Sequence, residues 1–332
     1  MQNITVSRSC RMAALLALAL LPQRLAASSG GRAGAEASPT VPATVWDRIM
    51  AEQSLRNLQA GYLLMESERY AEASAEFLKS ITRTPGEPYA HILYGASLYW
   101  LGDPEKAMSE FRTAVELDPS NSMAYQLMGI VHAWKGEFGA AAEKFVKAMS
   151  LAPDRADVRM NAGSVYSALG EMDKALEHLR QAVRLDPGNP LYSYQLGLLY
   201  ARLGRVSDAK SAFKRSISLF GDYEDAMLEL AVMEEKDGNF KEAARLYRRA
   251  LGIKPGDNVV RFRLACLLLR TGETKRLAPL LEEAFLLTPS NSKGGISISL
   301  AYAGGPVTGG GGRGGDGSLE QAISRVPKDE DI

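Results

Sequence analysis

The sequence predicts an all-α fold: a solenoid of seven helix–turn–helix units of 34 residues each. Three observations carry this. Proline stands at 85, 119, 153, 187, 255 and 289, every gap being 34 residues except one of 68, and Gly221 stands at the missing step. A small residue runs at the same period through Gly61, Gly95, Gly129, Gly163, Gly197, Ala231 and Ala265. Two further rows keep step: Ala73, Ala107, Ala141, Ala175, Ala209 and Ala243, broken by Leu277, and Phe77, Phe111, Phe145, Leu179, Phe213, Tyr247 and Leu281. A fixed period of this length marks a repeat architecture. The units are 54–87, 88–121, 122–155, 156–189, 190–223, 224–257 and 258–291, which make 238 of the 332 residues.

Each row has a physical reason, seen in the second unit. Pro119 cannot continue a helix, so one ends before it. Ser120 and Asn121 after it suit the cap of the next helix. Gly102, recurring as Gly136, Gly170, Gly204, Gly238 and Gly272 with Glu68 as the exception, suits a left-handed helix end. The unit therefore divides into helices over Pro88–Leu101 and Pro104–Leu117. Tyr94, Leu98 and Leu101 follow helical spacing, as do Ala107, Phe111, Ala114 and Val115. Gly95 lies inside the first helix, where glycine costs about 1 kcal/mol against alanine. A close approach of the paired helix at Ala107 is the packing reason, and Phe111 fills the space between neighbouring units. One pair cannot bury this stripe alone; a stack of pairs can.

Charge and composition exclude several function classes. Lys+Arg and Asp+Glu are both 39, without the basic surplus of a nucleic-acid binder. Cys10 and Cys266 are too few for a disulfide framework or a cysteine zinc site. His91, His132 and His178 lie too far apart for a metal cluster and read as surface or packing residues. No glycine-rich phosphate loop, nucleophile elbow or paired helical histidine is present. The chain is expected to be no enzyme and to hold no cofactor. Cys266 sits in an apolar helix beside Leu264, Leu267 and Leu268, as a buried, inert thiol would.

The two ends differ from the array. Residues 1–35 hold Arg8, Arg11, Arg24 and Arg32 and no acid, and Met12–Leu21 is an unbroken apolar run. That run is too short to span a bilayer. With the small residues Ala26, Ala27, Ser28 and Ser29 after it, residues 1–27 match a secretory signal peptide; a mitochondrial or plastid transit peptide is the alternative. The expected location is periplasmic or extracellular in the first case and organellar in the second. Residues 28–43 read as a flexible linker, and Thr44 as the cap of a helix running through Val45, Trp46 and Ile49 into the first unit, so that the array occupies 44–291. Residues 292–332 form a glycine-rich tail, with 11 glycines over 294–317. No membrane span is expected in the mature chain.

These rows resemble the tetratricopeptide repeat family over all seven units, the last departing most through Leu277 and Leu281. The resemblance implies a right-handed superhelix with a groove lined mainly by the first helix of each pair. It places Leu55, Leu58, Tyr62 and Met65, then Tyr89, Ile92, Ala96, Tyr99 and Trp100, then Met123, Gln126, Ile130, Ala133 and Trp134 on that groove. Of these, Tyr62, Met65, Tyr89, Ile92, Tyr99, Trp100, Met123, Gln126, Ile130 and Trp134 are the candidate partner-binding residues. Leu58, Tyr62, Ile92 and Ala96 stand where the family's carboxylate clamp would need lysine and asparagine, so nothing there pairs with a carboxylate. An asparagine ladder is equally absent: its register reads Gln59, Leu93, Leu127, Asn161, Gln195, Glu229 and Arg263. The expected guest is an apolar helix or extended peptide of a partner protein. The expected function is a non-catalytic scaffold in cell-envelope assembly or secretion. A self-assembling structural module, or an accessory subunit of an enzyme complex, is the alternative.

Overall fold

The computed structural model describes residues 45–273, with side chains from residue 49. Among these residues the secondary structure is helical throughout. The helices are α1 (Val45–Glu66), α2 (Tyr70–Arg83), α3 (Pro88–Trp100), α4 (Pro104–Leu117), α5 (Ser122–Trp134), α6 (Phe138–Leu151), α7 (Ala156–Ala168), α8 (Met172–Leu185), α9 (Pro190–Arg202), α10 (Val206–Leu219), α11 (Glu224–Lys236), α12 (Phe240–Ile253) and α13 (Asn258–Arg270). They make six complete pairs and the first helix of a seventh. The leader 1–27, the linker 28–43, the second helix of the seventh unit with Leu277 and Leu281, and the tail 292–332 lie outside the described residues.

Helix ends follow the punctuation in the sequence. Gly102 takes φ +85°, and its counterparts in the next five units lie between +70° and +81°. Glu68 alone adopts this conformation without being glycine, at φ +58°. At Gly102 the amide of Asp103 donates to the Leu98 carbonyl at 3.0 Å and that of Gly102 to Tyr99 at 3.1 Å, the paired bonds that close a helix on a left-handed residue. First helices are capped by side chains: Asn121 accepts from the Ala124 amide at 3.2 Å, Asn189 from Leu191 at 3.0 Å, and Asp257 from both Val259 and Val260. Ser120 instead donates to Asp118 inside the turn.

The glycine row is a steric requirement. A β-carbon on Gly95 would lie 2.6 Å from Phe111 Cε1 and 3.1 Å from the Ala107 carbonyl; one on Gly197 would lie 2.6 Å from Phe213 Cε1. The aromatic ring is laid across the bare backbone of its own hairpin. It also joins the next unit: Phe111 shares a buried cluster with Met123, Ala124 and Leu127 of α5. Phe77, Phe111, Phe145, Leu179, Phe213 and Tyr247 are all fully buried.

A second device holds the turns between units, and the sequence rows did not announce it. At five of the six steps between described units, the carbonyl at the proline position receives a cationic or imidazole group from the unit that follows. His91 reaches Pro85, Arg159 reaches Pro153, and Arg261 reaches Pro255, each from the first helix. In the fifth and sixth units, where Ser193 and Met227 occupy that place, Arg215 on α10 donates to Pro187 and Arg249 on α12 to Gly221. Each of these carbonyls lies two residues beyond the preceding helix, outside its hydrogen-bond ladder, and these side chains supply its donor.

Candidate functional site

First helices of successive units touch from α1 through α9, and the last residues of all seven first helices hold one place in the repeat. In order these are Glu66, Trp100, Trp134, Ala168, Arg202, Lys236 and Arg270. The place changes chemistry along the array: two indoles in the second and third units, three cations in the fifth to seventh.

The aromatic end is a chain of rings. Trp100 stacks on Tyr70 with centroids 5.6 Å apart and planes 15° from parallel. Tyr99 meets Trp100 edge-on at 5.6 Å and Trp134 edge-on at 6.4 Å. Behind them Ala96, Tyr99, Trp100, Phe111, Leu127, Ile130 and Val131 line an apolar void of about 10 Å³, room for one water at most. Trp134 is 52 % exposed although Tyr99 packs against it, so about half of the indole faces solvent. Tyr99 and Trp100 are half-buried.

The ten candidate residues divide on burial. Tyr62, Tyr89, Tyr99, Trp100 and Ile130 are half-buried, and Trp134 is exposed. Met65, Ile92, Met123 and Gln126 have at most 5 % of their surface open. These four are corrected to packing residues: neighbouring helices cover them, and a covered side chain cannot meet a guest. Leu58 and Ala96 are buried likewise, whereas Leu55 is exposed. Gln126 is also satisfied internally. Its amide donates to Asp157 Oδ2 at 2.8 Å and its oxygen accepts from Arg155 Nη2 at 2.6 Å, while Arg155 pairs with Asp157. Burial, with the Glu66 carboxylate beside it, pushes the Tyr62 hydroxyl up to about 12.

The cationic end surrounds an open cleft of about 270 Å³ lined by Val232, Glu235, Lys236, Gly238, Phe240, Arg263 and Arg270. Its acid is engaged: Glu235 Oε2 accepts from the Tyr247 hydroxyl at 3.0 Å. Neighbouring carboxylates are paired elsewhere, Asp237 with Lys210 at 2.6 Å and Glu273 with Arg248 at 3.3 Å. The Arg270 guanidinium lies over the Phe240 ring at 5.0 Å. Arg202 donates to the Ser167 carbonyl and hydroxyl, at 2.9 and 3.1 Å. Burial, with Asp225 adding to it, raises the Glu229 carboxyl. Burial also pushes the Cys266 thiol up, which keeps it protonated and weakly nucleophilic. The three cations at the helix ends are absent from the candidate residues that the sequence singles out. Their signal was positional: they share the 34-residue register of Trp100 and Trp134.

The histidines have ordinary partners. His91 bonds Glu110 at 2.7 Å, His132 bonds Glu137 at 2.6 Å, and His178 stacks on Tyr166 at 5.3 Å. Among the described residues no three His, Cys, Asp or Glu side chains gather as metal ligands, and no helix is long and apolar enough to cross a membrane.

A family model described as the cilia and flagella-associated protein 70 C-terminal domain matches residues 43–294. No curated protein sequence matches the chain. Among solved structures, a chain of the APC/C hetero-tetramer Cut9–Hcn1 is similar at 20 % identity and TM-score 0.58, over 68 % of this chain and 45 % of that one. This chain thus spans less than half of that relative's length. The pilF protein of Pseudomonas aeruginosa is similar at 18 % identity and TM-score 0.55, over 63 % and 95 %. The C-terminal part of a repeat-containing protein from Cytophaga hutchinsonii is similar at 18 % identity and TM-score 0.52, over 70 % and 96 %. At these identities the likeness is one of fold.

Proposed function

Since the chain belongs to the tetratricopeptide-repeat family of the cilia and flagella-associated protein 70 C-terminal domain, we propose that it is a non-catalytic scaffold holding a segment of a partner protein against the aromatic edge of its second and third units. The observation that carries this is the ring chain Tyr70–Trp100–Tyr99–Trp134 ending on a half-exposed indole. Exposed aromatic surface marks a candidate interaction site, and tryptophan and tyrosine dominate binding hot spots. The guest is an apolar helix or extended segment.

Captured partners are to be compared between the wild-type chain and Trp100→Ala/Trp134→Ala, with circular dichroism verifying that the variant is folded. Hot-spot truncation costs about 2 kcal/mol or more, roughly a 30-fold loss of affinity. Equal capture by the folded variant removes the assignment.

The leader-like residues 1–27 support export and a role in envelope assembly or secretion. The family's name favours a second reading, a scaffold within cilia or flagella. Sequencing the amino terminus of the chain from its native source separates them. A start near residue 28 supports export, whereas an uncleaved start removes that reading and leaves the ciliary one.

A further inference from the structure

The two indoles stand in an acidic setting. Helices α3 and α5, which carry Trp100 and Trp134, contain no Asp, Glu, Lys or Arg. Charge beside the rings therefore comes from the turns that follow the first helices. Over the seven residues that start at the last position of the first helix, the first three units hold Glu66, Glu68, Glu72, Asp103, Glu105 and Glu137 against Arg69, Lys106 and Lys135. Each of these cations is already engaged within the set. Arg69 pairs with Glu72 at 2.5 Å and Lys106 with Asp103 at 2.7 Å, while Lys135 is shared between Glu105 at 2.8 Å and Glu137 at 3.4 Å. Six carboxylates against three cations leave a net charge of −3. A proton on His132, which bonds Glu137, would still leave −2. The hydrogen bond between Tyr62 and Glu66 leaves that carboxylate charged. The same seven places hold Glu171, Asp173 and Lys174 in the fourth unit, Arg202, Arg205 and Asp208 in the fifth, and Lys236, Asp237, Lys241 and Glu242 in the sixth. The acidic surplus thus belongs to the aromatic end. A second observation is independent of this count. In other units a cation of the chain lies over a ring near these turns: Lys174 over Tyr166 at 5.2 Å, Arg205 over Tyr200 at 4.7 Å, and Arg270 over Phe240 at 5.0 Å. Among the described residues no Lys or Arg lies over the half-open indole of Trp134.

We propose that the partner segment held on the aromatic edge is basic: it supplies a lysine or arginine side chain to the open face of Trp134 and further cations to the surplus carboxylates around it. The proposal rests on the groove reading above and adds the charge of the guest. Charge complementarity selects the occupant. Tryptophan offers a cation the most favourable ring face, and Glu105 and Glu137 share a single ammonium, so a second cation has a carboxylate to meet there. Glu66 and Glu68, both exposed, extend the same field towards the first unit. An acidic peptide, a nucleic acid or an anionic membrane surface is repelled by that field. The apolar side chains of the guest lie on the rings between the cations. Because the carboxylates are exposed, salt screens the attraction, and the preference for a basic guest weakens as ionic strength rises.

The test uses the full chain and three peptides labelled with a neutral fluorophore, followed by anisotropy at low salt. In each peptide leucine alternates with a second residue: arginine, citrulline (its uncharged isostere) or glutamate. The arginine peptide should bind roughly tenfold tighter than the citrulline peptide, and the glutamate peptide weakest of the three. Glu66→Gln/Glu105→Gln, at two exposed side chains, should weaken the arginine peptide about fivefold and leave the citrulline peptide unchanged. Asp154→Asn/Asp222→Asn removes the same charge from exposed places in the turns between units and should change neither. Trp134→Leu keeps an apolar side chain without a ring face, and should weaken the arginine peptide roughly two- to fivefold more than the citrulline peptide. Circular dichroism verifies that each variant is folded. The proposal is overturned if arginine gives no advantage over citrulline, if the glutamate pair is as effective when replaced as when present, if the Asp154/Asp222 control weakens binding as much, or if Trp134→Leu affects both peptides equally. Two outcomes separate it from the reading it rests on. If all three peptides bind alike and all lose affinity in Trp100→Ala/Trp134→Ala, the groove stands and the basic guest falls. If the preference for arginine survives unchanged in that double variant, the aromatic groove falls and takes this proposal with it.

Discussion

Replacing Gly95 by alanine sets two effects of known sign against each other. Alanine is favoured over glycine inside a helix by about 1 kcal/mol. Against this, the new methyl would stand 2.6 and 2.9 Å from Phe111 Cε1 and Cδ1 and 3.1 Å from the Ala107 carbonyl. Carbon atoms in contact sit about 3.5–4.0 Å apart, so the pair must separate by close to 1 Å. Phe111 is fully buried, and the third atom is backbone, so neither yields as a side-chain tip would. Overpacking of this kind costs about 1–3 kcal/mol. The variant should therefore be less stable by about 1 kcal/mol, up to about 2. At Gly129 the three nearest atoms all belong to the Phe145 ring, the closest at 2.8 Å, and Gly129→Ala should fall within about 1 kcal/mol of neutral. The sixth unit already carries alanine, Ala231, at this step, and its hairpin α11–α12 is the most loosely paired of the six. Repeat arrays depart from two-state unfolding, so amide exchange on α3 and α4 is the assay, supported by urea midpoints. A loss of 1–2 kcal/mol appears as roughly 5- to 30-fold faster exchange there. Slower or unchanged exchange in Gly95→Ala, or a larger loss in Gly129→Ala, would refute the steric account of the glycine row.

Three further outcomes follow from the same packing. Phe111→Ala should cost about 3–5 kcal/mol, read from the urea midpoint; a loss below about 1 kcal/mol removes its place at the centre of the core. Glu234 is only 3 % exposed, and although burial pushes its carboxyl up, bonds from Lys210 and Asn239 outweigh that and leave it lowered. Lys210→Met should therefore cost about 2–3 kcal/mol, and Lys210→Met/Glu234→Gln should recover part of it; a single variant as stable as wild type contradicts this. Burial lowers the His178 imidazole below its usual value, and its Nδ1 has no partner. The unfolded chain then binds the proton more readily than the folded one. Its contribution to stability is complete above the ordinary histidine value and is lost as pH falls below it, so thermal midpoints should drop between pH 7.5 and 5.5, and drop less in His178→Phe.

The fold was legible in the sequence because the same contact is made in each complete unit. Gly95 over Phe111 and Gly197 over Phe213 repeat one steric problem, so each copy reinforces the other. The candidate site was legible only in part. Trp134 is open and Tyr99 and Trp100 are half-open, whereas Ile92 and Met123, placed on the same groove by the register, are covered by neighbouring helices. Helical spacing shows which way a side chain leaves its own helix, not how near the next helix lies. Gln126 was hidden for a related reason. Its partners, Arg155 at the end of its own unit and Asp157 at the start of the next, are about 30 positions away, and a polar residue reads the same whether it faces a guest or a neighbour. The links to the proline-step carbonyls escaped because they change donor midway, from the first helix at Arg159 to the second at Arg215.

Equivalent positions in a repeat array share one backbone environment, which makes the array its own control. Where packing dictates the residue, the copies agree: Ala73, Ala107, Ala141, Ala175, Ala209 and Ala243 are identical and all completely buried. At the last position of the first helix they run Glu66, Trp100, Trp134, Ala168, Arg202, Lys236, Arg270. The backbone is the same at each, so neither helix propensity nor capping can demand an indole in two units and a cation in three. A basic residue at a helix end gains about 0.3–1 kcal/mol from the dipole, a gain that would favour lysine or arginine in all seven units alike. The tryptophans forgo it and expose apolar surface as well. Part of what distinguishes the units lies inside the array, in Tyr70 beside Trp100, Ser167 beside Arg202 and Phe240 beside Arg270, and the exposed indole of Trp134 is the place where the proposed guest would supply the rest.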